Sequence, residues 1–376
     1  MNKLKFAQLG MLMVMLFTVS GCWDHEYLKD INLAYSVAFD LSEDGNILET
    51  VEIIVPAESE QSSPKNEIHH STGLTPRNAS TNMRNIIRGN MRFIKFGVQM
   101  VGTELAKKGL KTVLDVNFRD PSNPTADPRF VVADGLASDI ISKKLVGEIK
   151  IGEFLQQKIR SLERMGIFYP PETINSVFLA TTNPGKDFVL PYLGIENEEV
   201  VAKGVALFDD EYFTGTLDTN QSTLLVLMSG EMGDNARMTR KLHITEPYLV
   251  QGDISFNLAK KKPKRKFKIH VHRNGEVSVD LHLKTYAVIE EFTGDQQLKV
   301  EILPDIQKRL SEMLTEEADS IISTLKQSNC DLFGVGRHLI AYHNKLWQTK
   351  NWDEEYRTLQ FNTTIDVEII STGVLI

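Results

Sequence analysis

Seven apolar side chains between residues 267 and 283 can share one face of a β-hairpin only if its loop holds three residues. A two-residue Asn274-Gly275 turn would place Phe267, Ile269 and Val271 on the same face as Ser278, Asp280 and His282. A three-residue loop, Arg273-Asn274-Gly275, pairs His272 with Glu276 and Val271 with Val277. Phe267, Ile269, Val271, Val277, Val279, Leu281 and Leu283 then line one face. Strand side chains alternate with period two, so a slip of one residue would turn that whole face outward. The sequence therefore predicts the three-residue register, with Gly275 in a left-handed bulge conformation.

The same period recurs along the chain. Ile31, Leu33, Tyr35, Val37 and Phe39 alternate, "SEDGN" turns, and Val51, Ile53 and Val55 alternate again. "RFIKFGVQMVG", "RFVVADG", "DFVLPYLGIE" and the hairpin "VVAKGVALFDDEYFTGTL" read as strands. So do "YLVQGDISFNLA", "KFKIHVHR", "EVSVDLHLKTYAVIEEF" and "TLQFNTTIDVEIIST". Helical periodicity marks "TNMRNIIRGN" and "IGEFLQQKIRSLERMG", the last with Gly166 as its stop, while "ELAKKGLKTVLDVNFRDP" reads as helix, glycine, then helix or strand, stopped by Pro121. It also marks the long block "PDIQKRLSEMLTEEADSIISTLKQ" and "DLFGVGRHLIAYHNKLW". The class is α+β: largely antiparallel sheets with packed helices. Residues 58–80, "ESEQSSPKNEIHHSTGLTPRNAS", carry no period and are expected to form a long, mobile surface loop containing His69-His70.

The N-terminus is different in kind. Lys3 and Lys5 precede "LGMLMVMLFTV", eleven uncharged residues, and the segment ends Val19-Ser20-Gly21-Cys22. This is a signal-peptide leader, too short for the roughly 20 apolar residues of a membrane span. An aliphatic residue, two small residues and a cysteine make a lipoprotein cleavage site. Residues 1–21 are expected to be removed and Cys22 to carry a diacylglyceryl group and an N-acyl chain. Two acyl chains hold a protein to a bilayer where one does so only marginally. Trp23 would sit at headgroup level or pack in the folded domain; indole suits both.

With Cys22 acylated, Cys330 is left alone, so neither an intramolecular disulfide nor a cysteine metal site is expected. Cys330 reads as a small packing residue before a helix start at Asp331. Losing Lys3 and Lys5 takes the formal net charge from −8 to −10, a balance that argues against a nucleic-acid partner. "AKKKPKRKFK" is a local exception. Its Lys260, Lys261, Lys262, Lys264, Arg265 and Lys266 suit either an anionic membrane or partner surface, or a solvated segment that discourages strand addition.

Enzymatic motifs fail on inspection. His25-Glu26 begins an HExxH pattern that Lys29 breaks; Gly185-Lys186 lacks the earlier P-loop glycine; no Gly-x-Ser-x-Gly occurs. His270 and His272 share a strand face with His282 two pairs away, which reads as a polar outer face rather than a metal site. No catalytic residue, cofactor or metal is expected.

Several segments together resemble a known family, the C-subunit lipoproteins of bacterial spore germinant receptors, Ger(x)C. They are Gly21-Cys22-Trp23-Asp24 with Glu26, "GTELAKKGLKTVLDVNFRDP" (102–121), "KGVALFDDEYFTGTL" (203–217), and "DLFGVGRHL" with Trp347 and the closing strand before Gly373. Val98 departs from the family, whose members often carry Phe-Gly-His there. The resemblance implies three mixed α/β domains, placed at 22–198, 199–238 and 239–376. It implies a lipid-anchored protein on the outer face of the spore inner membrane. There it would act beside two integral-membrane receptor subunits, in a complex that senses small nutrients and triggers germination. It implies work through protein contacts rather than catalysis. The alternative is an extracytoplasmic solute-binding or hydrolytic lipoprotein that engages the germinant itself.

Overall fold

The computed structural model describes residues 31–55, 65–93, 95–120, 123–168, 172–245, 250–294 and 300–372. The leader, Cys22 and Trp23 lie outside the described residues.

β1 (Ile31–Leu41) and β2 (Ile47–Val55) form the expected hairpin, and β3 (Lys65–Gly73) adds antiparallel to β2. α1 (Pro76–Arg84) follows, with Thr75 accepting from the Asn78 backbone and Pro76 in the first turn. The described part of 58–80 is thus a strand and the start of a helix, not a long loop. β3 sits at a sheet edge, where backbone pairing with β2 suffices and an apolar period is unnecessary. Its His70 Nδ1 meets Thr50 Oγ1 at 2.9 Å, and His69 Nε2 meets Glu67 at 3.0 Å. Thr75-Pro76 was a legible helix start.

β4 (Asn90–Arg92) flanks the beginning of β1, and β5 (Val98–Gly102) leads into α2 (Thr103–Lys108) and α3 (Lys111–Arg119). β6 (Arg129–Ala133), α4 (Ala137–Ile141), the small ladder β7 (Leu145–Val146) with β8 (Ile149–Lys150), α5 (Ile151–Arg164) and α6 (Ile174–Thr182) come next. β9 (Val189–Glu196), β10 (Glu199–Asp209) and β11 (Tyr212–Leu217) complete a nine-stranded sheet ordered β11-β10-β9-β6-β5-β1-β2-β3, with β4 beside β1. β1, β5, β6 and β9 run parallel at its centre, and antiparallel hairpins flank them. One face, with Val37, Phe39, Val51, Val101 and Val132, belongs to a core with Leu105, Leu114 and Val177 of the covering helices. The other, with Ala38, Val98, Met100 and Val131, packs on Ile140, Leu155 and Leu225.

Two buried carboxylates pin helices to this sheet. Asp40 accepts from the Ala137 and Ser138 backbone N–H groups, both at 2.8 Å, at the start of α4. Glu52 accepts from Gly152 N at 2.8 Å at the start of α5, and from Ser36 Oγ. Both occupy the partly positive N-terminal end of a helix, where free N–H groups need acceptors.

The 199–238 segment, expected as a small middle domain, contributes β10 and β11 to this sheet. It continues as α7 (Thr219–Met228), capped reciprocally by Asp218 and Gln221, and ends where β12 (Arg237–Ile244) begins. β12 pairs with β13 (Val250–Asn257), which joins β15 (Val277–Phe292). β14 (Lys264–Val271) and β16 (Gln360–Ser371) pair with β15 as well. Val271 pairs with Val277, His272 N donates to Glu276 O at 2.8 Å, and Gly275 has φ +84°, the predicted register and bulge.

Between β15 and β16 run α8 (Leu303–Gln327), α9 (Val335–Tyr342), α10 (Asn344–Trp347) and α11 (Trp352–Thr358). The single helix expected over 331–347 begins only at Val335 and breaks at His343, whose φ of −136° is not helical. Ile306, Leu310, Leu314, Ile321 and Leu325 of α8 lie in the core that also holds Leu281 and Leu283. α8 also seals β16: Thr315, Ser311 and Gln307, spaced four apart on one helix face, accept from Ile365, Val367 and Ile369 N, each at 3.0 Å. The opposite sheet face is polar, with His270 meeting Asp280 at 2.8 Å, and His282 meeting Asp366 and Lys284 meeting Glu368 at 2.7 Å each.

Candidate functional site: the junction of the two sheets and the basic strand edge

The turn before β9 meets the turn before α9. Gly185 has φ +82°, and a Cβ there would lie 2.6 Å from Arg337 N. A Cβ on Gly336 would lie 2.9 Å from Gly185 Cα and 2.8 Å from Trp352 Nε1. Only glycine permits this approach. Arg337 N donates to Gly185 O at 2.6 Å, and Asp187 N to Asp331 O at 3.1 Å.

Two carboxylates knit the seam. Asp187 accepts from Asp331 N at 2.7 Å and from Asp210 N at 3.0 Å. Asp331 accepts from Val335 N at 2.9 Å and Gly336 N at 2.7 Å, so it caps α9 rather than starting a helix itself. Burial pushes Asp187 up to about 7 and Asp331 up to about 6, against the lowering effect of those backbone donors. Asn329, with φ +53°, donates to Asp209 at 3.0 Å, and Tyr356 O–H donates to Cys330 O at 2.8 Å. Cys330 is fully buried, its thiol reaching Phe188 O, and burial pushes its pKa far up. A thiol held protonated and out of solvent is no nucleophile. The chemistry of this seam is structural: hydrogen bonds that fix one sheet against the other.

The basic run divides. Lys260, Lys261 and Lys262 lie exposed between β13 and β14, while Lys264, Arg265 and Lys266 begin β14, so half of the run is strand. Lys264 and Lys266 project outward. Arg265 turns in, its guanidinium 4.3 Å from the Phe267 ring centroid and 5.7 Å from that of Phe333. Lys261 sits 3.8 Å over Tyr286. Among the described strands β14 pairs with β15 alone, so these lysines border a sheet edge.

Among the described residues no group of three His, Cys, Asp or Glu side chains is placed to hold a metal ion, and no helix is long and apolar enough to cross a membrane. Val98, at the family's frequent histidine position, is fully buried in β5. Sequence reasoning missed Asp187 and the capping role of Asp331. Its available signal was an aspartate four residues ahead of a Gly-Val-Gly helix start.

Known proteins share this architecture. Residues 24–195 match the family described as "Spore germination protein N-terminal domain", and residues 203–373 match "Spore germination B3/GerAC like, C-terminal". Spore germination protein GerQC of Bacillus cereus is 20% identical over 356 residues, covering 94% of this chain and 95% of its own length. Spore germination protein KC of Bacillus subtilis (strain 168) is 21% identical over 380 residues, covering 92% and 90%. The crystal structure of the GerBC protein superposes with a TM-score of 0.58 at 17% identity, covering 92% of this chain and all of that one.

Proposed function

The chain belongs to the spore germination GerAC-like family, and from that premise we propose that it is a germinant-receptor C subunit held to the membrane through acylated Cys22 and acting by protein contacts. The observation that carries this reading is the family match over both halves of the chain, 24–195 and 203–373. The lipoprotein leader supports the tether, since acyl chains anchor a protein whose described helices do not cross the bilayer. The buried, alkaline-shifted Cys330 and the purely structural seam support a role without catalysis. The contact surface is the β14 edge. Lys260, Lys261, Lys262, Lys264 and Lys266 stand exposed along it and suit either anionic headgroups or an acidic face of the two integral-membrane subunits.

Replacing Cys22 with Ala should move the protein from the membrane to the soluble fraction and abolish the nutrient response. Normal germination with a fully soluble C22A protein would overturn the tethered reading. Reversing the exposed lysines should weaken cross-linking to membrane neighbours while leaving the lipid tether intact.

A further inference from the structure

A cavity of about 270 Å³ lies between the nine-stranded sheet and helices α1 and α3. Phe39 and Phe96 supply apolar wall; Arg77 and Asp120, paired at 2.7 Å, stand among its charged lining. Two polar side chains set into it are each only 1% exposed: Glu49 on β2 and Gln99 on β5.

Each of them is half satisfied. Glu49 Oε1 accepts from Ser80 Oγ at 2.9 Å, but Oε2 is buried with no hydrogen-bond partner. Gln99 Oε1 accepts from Asn117 Nδ2 at 2.9 Å, but Nε2 is buried with no partner. Leaving such groups unpaired is costly, more so when the group is charged. The neighbouring buried carboxylates are treated differently. Asp40 spends both oxygens on helix N–H groups, and Glu52 accepts from Ser36, Asn66 and Gly152. Glu49 instead keeps an unpaired buried acceptor and Gln99 an unpaired buried donor, on two residues that line the same cavity.

We propose that this cavity binds a small organic molecule carrying a protonated amine, an adjacent carbonyl oxygen and a short aliphatic body. The amine donates to Glu49 Oε2, the oxygen accepts from Gln99 Nε2, and the aliphatic part lies against Phe39 and Phe96. A cation is favoured over a neutral donor because it offsets the burial that otherwise pushes Glu49 up to about 7. The Arg77 charge already lowers Glu49 in part, but its guanidinium is engaged by Asp120 and leaves Oε2 without a hydrogen bond. The mixture of apolar wall and few convergent polar groups is what small-molecule sites show.

The test is calorimetric titration of the full chain in mild detergent with three probes: leucinamide, isoamylamine (which lacks the carboxamide) and 4-methylpentanamide (which lacks the amine). Leucinamide should bind saturably with a Kd of about 1 mM or tighter, and each truncated probe at least about tenfold more weakly. Glu49→Gln should weaken leucinamide by a similar factor, and Val116→Phe, which narrows the cavity from its α3 side without touching the polar pair, should weaken all three. Thermal melts confirm that both variants fold. Absence of saturable leucinamide heat would overturn the proposal. So would equal binding of the three probes, or unchanged binding in folded E49Q, since either would leave the cavity merely apolar or water-filled.

Discussion

Gly185 and Gly336 touch backbone to backbone: the position of a Cβ on Gly336 lies 2.9 Å from Gly185 Cα, and the adjacent Arg337 N–H donates to Gly185 O at 2.6 Å. These two glycines belong to different sheets' connecting turns, so their contact decides how the halves of the molecule sit together.

Gly185→Ala should therefore be strongly destabilising. Its φ of +82° disfavours any Cβ, and that Cβ would meet a hydrogen-bonded backbone nitrogen at 2.6 Å. The expected loss is about 2 kcal/mol or more, beyond the ~1 kcal/mol of an unobstructed glycine. A control at Gly45, with φ +78° and open space, should lose only about 1 kcal/mol. Urea midpoints compare them; equal losses would remove the close-approach explanation.

Stability should fall as pH rises through the neutral range. Glu49 and Asp187 are pushed by burial from ordinary values of 4.5 and 3.8 up to about 7. Between those limits the folded chain keeps protons that the unfolded chain has released. Stability is therefore full below about pH 4, declines toward pH 7 and levels above it. Acid denaturation by groups with lowered values opposes this trend in the most acidic range. Glu49→Gln removes one contributor, so its denaturation midpoint should change less between pH 5 and pH 8 than the parent's. An identical pH slope in both would sink the assignment to Glu49.

Deleting Asn274 should loosen the β14–β15 hairpin without changing its register. The shortened loop, Arg273-Gly275, still leaves His272 opposite Glu276 and Val271 opposite Val277, but it loses the Asn274 side-chain bonds to Glu276 and the bulge that the three-residue loop provides. The urea midpoint should show a loss of about 1 kcal/mol with the strand signal in circular dichroism retained; a collapse of that signal would show that the register had slipped.

Ser311→Ala should free the Val367 amide and Thr315→Ala the Ile365 amide. Each should cost about 1–2 kcal/mol and speed hydrogen exchange at its own strand amide more than at the other. Uniform acceleration along β16 would show instead that the helix as a whole had loosened.

Much of this fold was legible because the period-two and helical patterns are strong. The 271–277 register followed from parity alone, and α5 and α8 from one apolar face each. β3 was not legible, because an edge strand such as Lys65–Gly73 is specified by its neighbour's backbone rather than by its own apolar residues. The binding cavity left a fainter mark. Glu49 has the same parity as Val51 and Ile53, so a carboxylate stood on the apolar face of β2 from the start. The meaning of that position needed Gln99, fifty residues on, and the sheet order that brings the two together. The seam at Asp187 and Asp331 was invisible for the same reason: each aspartate is ordinary alone.

The helix that covers β16 has a consequence for life at a surface. Chains gathered on one membrane meet edge to edge far more often than chains in solution, and an open strand edge invites a neighbour's backbone to pair. Gln307, Ser311 and Thr315 occupy the β16 amides that such a neighbour would need. β12 and β14 also lie at edges of this sheet, and β14 is guarded by like charge, through Lys264, Lys266 and Lys268. The β16 edge is closed by bonds and the β14 edge by repulsion between identical copies. On the proposed membrane tether, neighbouring copies would meet a bonded edge at β16 and a charged one at β14, while an acidic surface can still approach the basic edge.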